Sequence, residues 1–406
     1  MANSLLTIDM VTRASLVILH QKCNFIGNIN RQYDDQFAKT GAKIGNSLRV
    51  RLPVQYTVSS GPTLATQDTQ ELQVSLTVSA QGQVAMNFSS AEFTMQIDEF
   101  TKRYIEPSIS VLAASLESNA LGMVEEVYQA VDNSASSMSM AQVTAARTKL
   151  INALAPKTGD WTAVISAEAN AELVNANKGL FQAATEIATQ YKEGMMGRTG
   201  GFDFYENTLL PSHTTGTTSA SPSNLAVTTT ITSSATSPTT TIAVTSTGTS
   251  GTWKNGDIFT ISTLFRVHPE TKTNTGQLQQ LSVVGDVALG TTQSITISPP
   301  IYITGAYQNA TLSAVLSSGT IAKVGNTGTT YRSNVFFQPD AFTFATADLI
   351  KPNGVDMVSR QVKDGISMRI LRDYDPNYDR LVTRCDVLYG YRSIRPQLAA
   401  RVLNGT

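Results

Sequence analysis

The run Asp-Tyr-Asp-Pro-Asn-Tyr-Asp from Asp373 to Asp379 has the clearest chemical potential in this chain. Oxygen ligands at alternate positions resemble the start of a calcium-binding loop. The sixth position, however, is Tyr378 where such a loop has glycine, and the twelfth is Arg384 where it has glutamate. We therefore favour a turn between two strands over a calcium site.

Two other groups of residues have types that could form chemical sites. The run GMMGRTGG at residues 194–201 resembles a phosphate loop but lacks the Lys-Ser/Thr ending, so a plain turn is the better prediction. His20, His213 and His268 lie in different segments, and we predict each to be a surface or loop residue. The sequence thus predicts no catalytic residue, no metal site, no cofactor and no enzymatic activity.

Composition limits the classes of function. The chain has 406 residues, 15% of them charged, and a net charge of -1, which argues against sequence-specific nucleic-acid binding as the main activity. Cys23 and Cys385 form no disulfide framework, so we expect free thiols in a reducing cytosol. No signal peptide is recognisable, and no apolar run is long enough to span a membrane.

A long amphipathic helix is predicted over residues 107–131, with Pro107 in its first turn. Apolar residues recur there at three- and four-residue steps, while Glu117, Glu125 and Glu126 fall largely between them. We predict that Glu125 and Glu126 lie on a solvated face. At about 1.5 Å per residue this helix would be roughly 37 Å long. We interpret it as a spine that supports the rest of the chain.

The segment before the spine predicts an arm and a hairpin. Residues 5–29 indicate one or two short amphipathic helices. Apolar residues then alternate from Leu48 to Val54 and from Leu72 to Val78, and the turn sequence at 59–62 separates them. A two-stranded hairpin is marginal alone. We therefore expect sister copies of the chain to cover the apolar residues of both segments.

After the spine, the patterns predict an α+β unit interrupted by an all-β stretch. The predicted α+β elements are a helix at 140–154, a buried strand at 161–165, Ser166 as a helix cap, and a helix at 167–176. Residues 214–332 are rich in threonine and serine and contain short strand patterns. The α+β pattern resumes at Val335 and closes on two strands around residues 366–370 and 381–389.

Several short motifs, in this order, resemble the major capsid (coat) proteins of short-tailed bacteriophages with the HK97-type fold and an inserted β domain. They are NRQYD at 30–34, GNSLRVRLP at 45–53, RYIEP at 103–107, GRTGGFD at 197–203, and DVLYG at 386–390 with Arg395-Pro396.

The resemblance implies a division of the chain into capsid domains. The ranges are an N-terminal arm at 1–46, an extended loop at 47–95, a peripheral domain with the spine at 96–135, an axial domain at 136–213, an inserted β domain at 214–332, and a return to the axial and peripheral domains at 333–406. The implied function is self-assembly into pentamers and hexamers of an icosahedral head around double-stranded DNA. Assembly would occur in the host cytoplasm and without a covalent cross-link.

The implied partners are other copies of the chain, a portal, scaffolding or decoration proteins, and packaged DNA by weak non-specific contact. Candidate subunit contacts share a position on the hairpin or at the start of the spine: Arg49, Arg51, Gly61, Pro62, Arg103 and Tyr104. For Arg49 and Arg51, a solvated strand face is the competing interpretation.

Two alternatives belong to other functional classes. The Thr/Ser-rich stretch is compatible with a secreted or surface adhesin, against which stand the missing signal peptide and the long helix. A hydrolase with its site in the α+β unit would lose activity when Asp373 or Asp375 is changed. Export into the medium would favour the adhesin over the coat protein.

Overall fold

The computed structural model describes residues 8–34, 47–62, 64, 66–67, 71–89, 106–157, 159–177, 197–218, 225–227, 238–246, 251–313 and 319–405. The chain forms two compact units. Unit 1 draws on residues 1–50, 73–121 and 342–394, and unit 2 on residues 51–72, 122–341 and 395–406. Neither unit is one continuous stretch, so contacts between distant segments build both cores.

The elements are numbered in chain order. The α-helices are α1 (Ile8–Lys22), α2 (Asn24–Gly27), α3 (Glu106–Leu121), α4 (Met140–Asn152) and α5 (Ala167–Asn177). The strands are β1 (Asn30–Asp34), β2 (Ser47–Arg51), β3 (Gln73–Thr77), β4 (Ala80–Ser89), β5 (Ala130–Asn133), β6 (Thr162–Ile165), β7 (Arg198–Thr199), β8 (Phe202–Glu206), β9 (Ser212–Thr214), β10 (Leu225–Val227), β11 (Thr239–Ser246), β12 (Gly251–Trp253), β13 (Ile258–Val267), β14 (Asn274–Val283), β15 (Val287–Leu289), β16 (Thr292–Ile301), β17 (Ala310–Leu312), β18 (Ile321–Lys323), β19 (Thr330–Phe337), β20 (Phe342–Ala347), β21 (Met357–Lys363), β22 (Ile366–Asp375), β23 (Arg380–Ser393) and β24 (Ala399–Gly405).

Unit 1 is built on a six-stranded sheet in the order β1-β20-β23-β22-β21, with β4 paired to β23. Helix α1 packs against α3 and β21. The alternating apolar residues Ile366, Met368 and Ile370 of β22 are buried, as their spacing predicts. Residues 376–379 connect β22 and β23, so the predicted strand-joining turn is confirmed, although Asp373, Tyr374 and Asp375 belong to β22.

Unit 2 contains two seven-stranded sheets. The first has the order β5-β24-β19-β6-β8-β7, with β9 paired to β19. The second has the order β10-β11-β16-β14-β13-β17, with β18 paired to β13. The second sheet lies within residues 214–332 and has its own apolar core around Trp253 and Phe259. The all-β pattern of this stretch is therefore correct, while its status as a separate inserted domain stays a prediction.

The spine helix is shorter than predicted. Helix α3 ends at Leu121, residues Gly122–Glu126 form a 3-10 helix, and Ala130–Asn133 is strand β5. A glycine inside a helix costs about 1 kcal/mol relative to alanine, and Gly122 falls where α3 stops. Residues 130–133 gain parallel pairing with β24 instead, for example Val131 with Val402. With 16 residues, α3 is roughly 24 Å long rather than 37 Å.

Glu117 of α3 falls between the apolar residues of the spine pattern, yet it does not face solvent. Its side chain is fully buried. Oε1 accepts a hydrogen bond from the Phe25 amide at 2.5 Å, and Oε2 accepts one from the Ile26 amide at 3.1 Å. The carboxylate therefore fixes the start of α2 on α3.

The helical part of the arm is covered by its own chain. Leu16, Leu19, Phe25 and Ile26 are buried in unit 1, and Phe25 packs edge-on against Phe342 at 5.3 Å. The expectation that sister copies must cover the apolar residues of the arm is therefore wrong for these residues. The reason is that α1 and α2 find an apolar partner on α3 and the sheet.

Replacing Glu117 with alanine is expected to lower the free energy of unfolding by about 1–3 kcal/mol, because two buried amides lose their acceptor. Urea unfolding measures the change. Glu106→Ala, at the exposed start of the same helix, is the control and should have a much smaller effect. Equal unfolding midpoints for the two variants would show that the carboxylate does not hold α2.

Candidate functional site

The hairpin predicted from Ser47 to Val78 is present as strands β2 and β3. The Leu52 amide extends the pairing beyond β2 by donating to the Leu72 carbonyl at 2.8 Å. We call residues 52–67, which follow β2, the hairpin loop. This segment contains no Asp, Glu, Lys or Arg.

The described part of the hairpin loop exposes large apolar side chains. Tyr56 is 59% exposed, Val58 95% and Leu64 88%. Gly61 has φ +130°, a conformation that L side chains rarely adopt. Clustered exposed apolar side chains on an uncharged loop are typical of a protein-binding surface.

Polar contacts give the hairpin loop a defined shape. The amide of Thr57 donates to Gln67 Oε1 at 3.0 Å, and Gln67 Nε2 donates back to the Thr57 carbonyl. Lys272 Nζ donates to Gln55 Oε1 at 3.0 Å. These bonds cross the loop and anchor one side of it, while the apolar side chains stay in solvent.

The base of the hairpin is covered by unit 1. Leu76 and Val78 are buried in a small apolar cluster with Ala345 and Ala347. A Cβ atom at Gly390 would lie 2.1 Å from the Thr77 carbonyl oxygen, so this backbone approach requires glycine. The expectation that sister copies cover the whole apolar face of the hairpin is therefore wrong at its base, and it stays open only for the loop.

The sequence-predicted contact residues differ in their surroundings. Arg51 pairs with Glu71 across the hairpin at 3.0 Å, in an exposed contact that contributes little stability. Arg49 is exposed and takes part in no ion pair of the described residues. Gly61 and Pro62 are exposed in the hairpin loop. The other two candidates, Arg103 and Tyr104, lie outside the described residues.

Burial of His213 contradicts the prediction that each histidine is a surface or loop residue. His213 lies in β9 and is only 6% exposed. Its Nε2 is 2.9 Å from Asp257 Oδ1, and its Nδ1 is 3.9 Å from Glu125 Oε1. Long-range pairing of β9 with β19 places the ring in the core, which local polarity could not reveal. His268 lies in a turn, as predicted, and the His20 side chain lies outside the described residues.

Asp257 is the centre of a buried charge cluster. Besides His213, it pairs with Lys323 Nζ at 3.1 Å, and both of these carboxylate and ammonium groups are fully buried. The amides of Gly216 and Lys254 also donate to Asp257 Oδ2, each at 3.0 Å. Its oxygens are saturated with donors and closed to solvent, so this arrangement stabilises the fold rather than offering a reactive carboxylate.

Arg401 extends the same cluster. Its side chain is fully buried, and Nη2 donates to the Gly256 carbonyl at 2.7 Å. Burial lowers the pKa of Arg401 to about 10, while the charges of Glu125 and Asp257 oppose that shift. Glu125, expected on a solvated face, thus lies close enough to interact with buried charges.

The two remaining motifs, at residues 373–379 and 194–201, each include a turn between strands. Asp375 accepts two hydrogen bonds from the Arg380 guanidinium, and Asp379 accepts one from the Tyr374 hydroxyl at 2.9 Å. Gly200 and Gly201 form the turn between β7 and β8, whereas residues 194–196 lie outside the described residues. Throughout the described ranges, no group of three or more His, Cys, Asp or Glu residues could hold a metal ion.

Both cysteines are free and buried. Burial, and next the nearby Glu117 charge, raises the pKa of the Cys23 thiol. Burial raises the pKa of Cys385 to about 12. Neither thiol is in the deprotonated form that a nucleophile requires. The structure also contains, in its described part, no helix with the length and apolarity to cross a membrane.

An exposed apolar loop without charged residues is typical of a structural subunit that associates with other protein chains. The sequence pattern of the family described as P22 coat protein, gene protein 5, matches residues 28–405. The chain therefore belongs to the P22 coat protein family. It is a structural major capsid protein of a tailed phage and a component of the virion, with the expected α+β fold.

Solved structures give more distant likenesses. A chain from Mycobacterium phage Che8 is 12% identical with a TM-score of 0.46, over 88% of this chain and 84% of that one. A chain from the capsid of the cyanophage P-SCSP1u is 10% identical with a TM-score of 0.46, over 94% and 88%. A chain from the capsid of Ralstonia phage GP4 is 6% identical with a TM-score of 0.46, over 93% and 87%. No curated protein sequence matches the chain.

Proposed function

We propose that copies of this chain assemble into the pentamers and hexamers of an icosahedral head that encloses double-stranded DNA, and that the hairpin loop joins neighbouring copies. The observation that carries this proposal is the exposure of Tyr56, Val58 and Leu64 on a loop without charge. Membership of a coat protein family supports it.

The energetics of the hairpin loop suit a shell. Burying each of these side chains against a neighbour contributes about 1.5–3 kcal/mol. A single contact of this size is weak once the entropy of association is subtracted. Repeated around a closed shell, the contacts reinforce one another and become hard to reverse. Individual contacts can therefore form and correct themselves while the complete shell persists.

The capsid domain scheme is part of the proposal. The arm is assigned to residues 1–46, the extended loop to 47–95, the peripheral domain to 96–135, the axial domain to 136–213, the inserted domain to 214–332, and the return to 333–406. Support for the inserted domain comes from its seven-stranded sheet and apolar core. Arg49, Gly61 and Pro62 remain exposed contact candidates, and Arg103 and Tyr104 are proposed on the family resemblance.

Further partners follow from the same function. A portal, scaffolding proteins and decoration proteins are proposed to bind the shell, and assembly is proposed to need neither a membrane nor a covalent cross-link. The net charge of -1 supports a weak, non-specific contact with packaged DNA. Tight binding to the wall would hinder packing and ejection.

Overexpression of the full chain, followed by sedimentation and electron microscopy, tests the proposal. We expect closed shells of uniform size in the cytosolic fraction. A protein that stays a compact single molecule at high concentration, with the hairpin loop protected from proteolysis, would contradict it.

A further inference from the structure

Two cationic side chains of unit 2 share one polar surrounding. Lys149 Nζ of α4 donates to Gln280 Oε1 at 2.8 Å. Arg266 Nη1 of β13 donates to Gln129 Oε1 at 3.4 Å. The side-chain amide of Gln280 also forms two hydrogen bonds of 3.0 Å with the backbone of Ala130. Because Ala130 follows Gln129, these bonds connect the surroundings of Lys149 with those of Arg266. Four elements of the fold therefore fix the position of these cations.

Among the described residues, no carboxylate neutralises the positive charge at this place. Neither Lys149 nor Arg266 takes part in an ion pair of the described residues, and both are partly buried. Burial, and next the positive charge of Arg266, lower the pKa of Lys149 to about 8, with no carboxylate opposing them. Amide oxygens orient the two cations, but they cannot cancel their charge.

We propose that Lys149 and Arg266 form a carboxylate-binding site that an aspartate or glutamate of a second copy fills when shells assemble. This inference rests on the proposed self-assembly. A guanidinium and an ammonium together match the two oxygens of a carboxylate, in charge-assisted hydrogen bonds that are stronger than neutral ones. The site would thus add orientation to the apolar contact of the hairpin loop.

A carboxylate of a second copy suits the site better than DNA does. Duplex binding depends on many phosphate contacts along an exposed basic surface, and this site offers two partly buried cations in a chain of net charge -1. The chain also carries suitable carboxylates. Glu106 and Glu270 are exposed and belong to no ion pair of the described residues.

Amine labelling compares assembled shells with unassembled protein. Acetic anhydride is applied to both, and acetylation of Lys149 is measured by mass spectrometry relative to Lys157, an exposed lysine of the same unit. We expect the ratio to fall at least about tenfold in shells, because an amine in an ion pair is shielded and held in its protonated form. An unchanged ratio in well-formed shells would overturn the inference. The absence of shells would instead contradict the proposed function.

A zero-length carbodiimide cross-link identifies the partner. Shells are assembled from a mixture of 14N- and 15N-labelled chains, and we expect heavy-light peptide pairs that join Lys149 to an aspartate or glutamate. Cross-links confined to one chain would overturn the inference. Protection of Lys149 in DNA-filled heads but not in empty shells would also overturn it, and would identify phosphate as the ligand.

Substitutions of Lys149 distinguish the effect of its positive charge from the effect of its reactive amine. Lys149→Gln is expected to raise the protein concentration needed for assembly about tenfold, through the loss of one charge-assisted contact. Lys149→Arg keeps the charge and should assemble normally without the cross-link. Lys157→Gln removes one positive charge from an exposed position and should have no effect on assembly. Normal assembly of Lys149→Gln, with an unchanged urea midpoint, would show that no partner carboxylate uses the site.

Discussion

Deletion of residues 59–68 is expected to leave a folded monomer with nearly unchanged stability that forms no shells. The described residues of this stretch are exposed, and Leu64 is 88% exposed. The deletion should therefore change the free energy of unfolding little. It removes the exposed side chain of Leu64 and the turn at Gly61, which assembly is proposed to need. Urea unfolding measures the first effect, and sedimentation with electron microscopy measures the second.

Point variants test whether the apolar surface itself is responsible. The double change Val58→Ser and Leu64→Ser keeps the loop length and should also prevent assembly. Val111→Ser is the matched control, since Val111 is 64% exposed but lies on α3, outside the hairpin loop. Particles of normal size from the deletion variant would refute the role of the hairpin loop.

Asp257→Asn should destabilise the fold by about 3–5 kcal/mol, the usual effect of removing one partner from a buried ion pair. The change leaves Lys323 and Arg401 buried without this counter-charge, and the new amide group faces donors. Urea unfolding at pH 7 measures the loss. Asp286→Asn is the matched control, because Asp286 pairs with Lys254 at the surface and exposed ion pairs contribute little to stability.

The effect of Asp257→Asn should depend on pH. Burial alone would raise the pKa of Asp257, but the hydrogen bond from His213 and the charge of Lys323 outweigh it and lower the pKa. A carboxyl with a lowered pKa contributes stability above its unfolded value, and this contribution is lost as pH falls through the folded value. The difference in the free energy of unfolding between wild type and variant should therefore become smaller below about pH 4. A constant difference down to pH 3 would argue against an ionised Asp257 in the fold.

Local patterns predicted much of the secondary structure. The helix beginning at Met140 and the buried strand at 162–165 follow the predicted ranges closely. Ser166 accepts a hydrogen bond from the Ala169 amide at 3.2 Å, as a helix cap should. Such features depend on residues a few positions apart, so a single sequence contains the information. The coat protein resemblance rested on motifs of the same short range.

The errors concern polar residues and helix ends. The polarity of His213 predicts a surface or loop residue, and Glu117 falls between the apolar residues of the spine, yet each is buried against partners far along the chain. The Phe25 amide lies 92 positions from Glu117, and Asp257 lies 44 positions from His213. The sequence shows the chemistry of a polar side chain, but it does not show whether the fold places a hydrogen-bond partner beside it in the core. Pairing of β5 with β24 likewise ended the spine earlier than its periodicity indicated.

The sequence by itself determined the periodicity of the strands and helices, the uncharged composition of the hairpin loop, and the family to which the chain belongs. The tertiary structure alone decided which apolar surface remains exposed. Among the described residues, it covered Leu16, Leu19, Phe25 and Ile26 of the arm and the base of the hairpin, and it left Tyr56, Val58 and Leu64 exposed. It also decided that Asp257, Lys323 and Arg401 meet in the core. The physical reason is that burial results from contacts between segments distant in sequence, whereas periodicity and turn chemistry arise between neighbours.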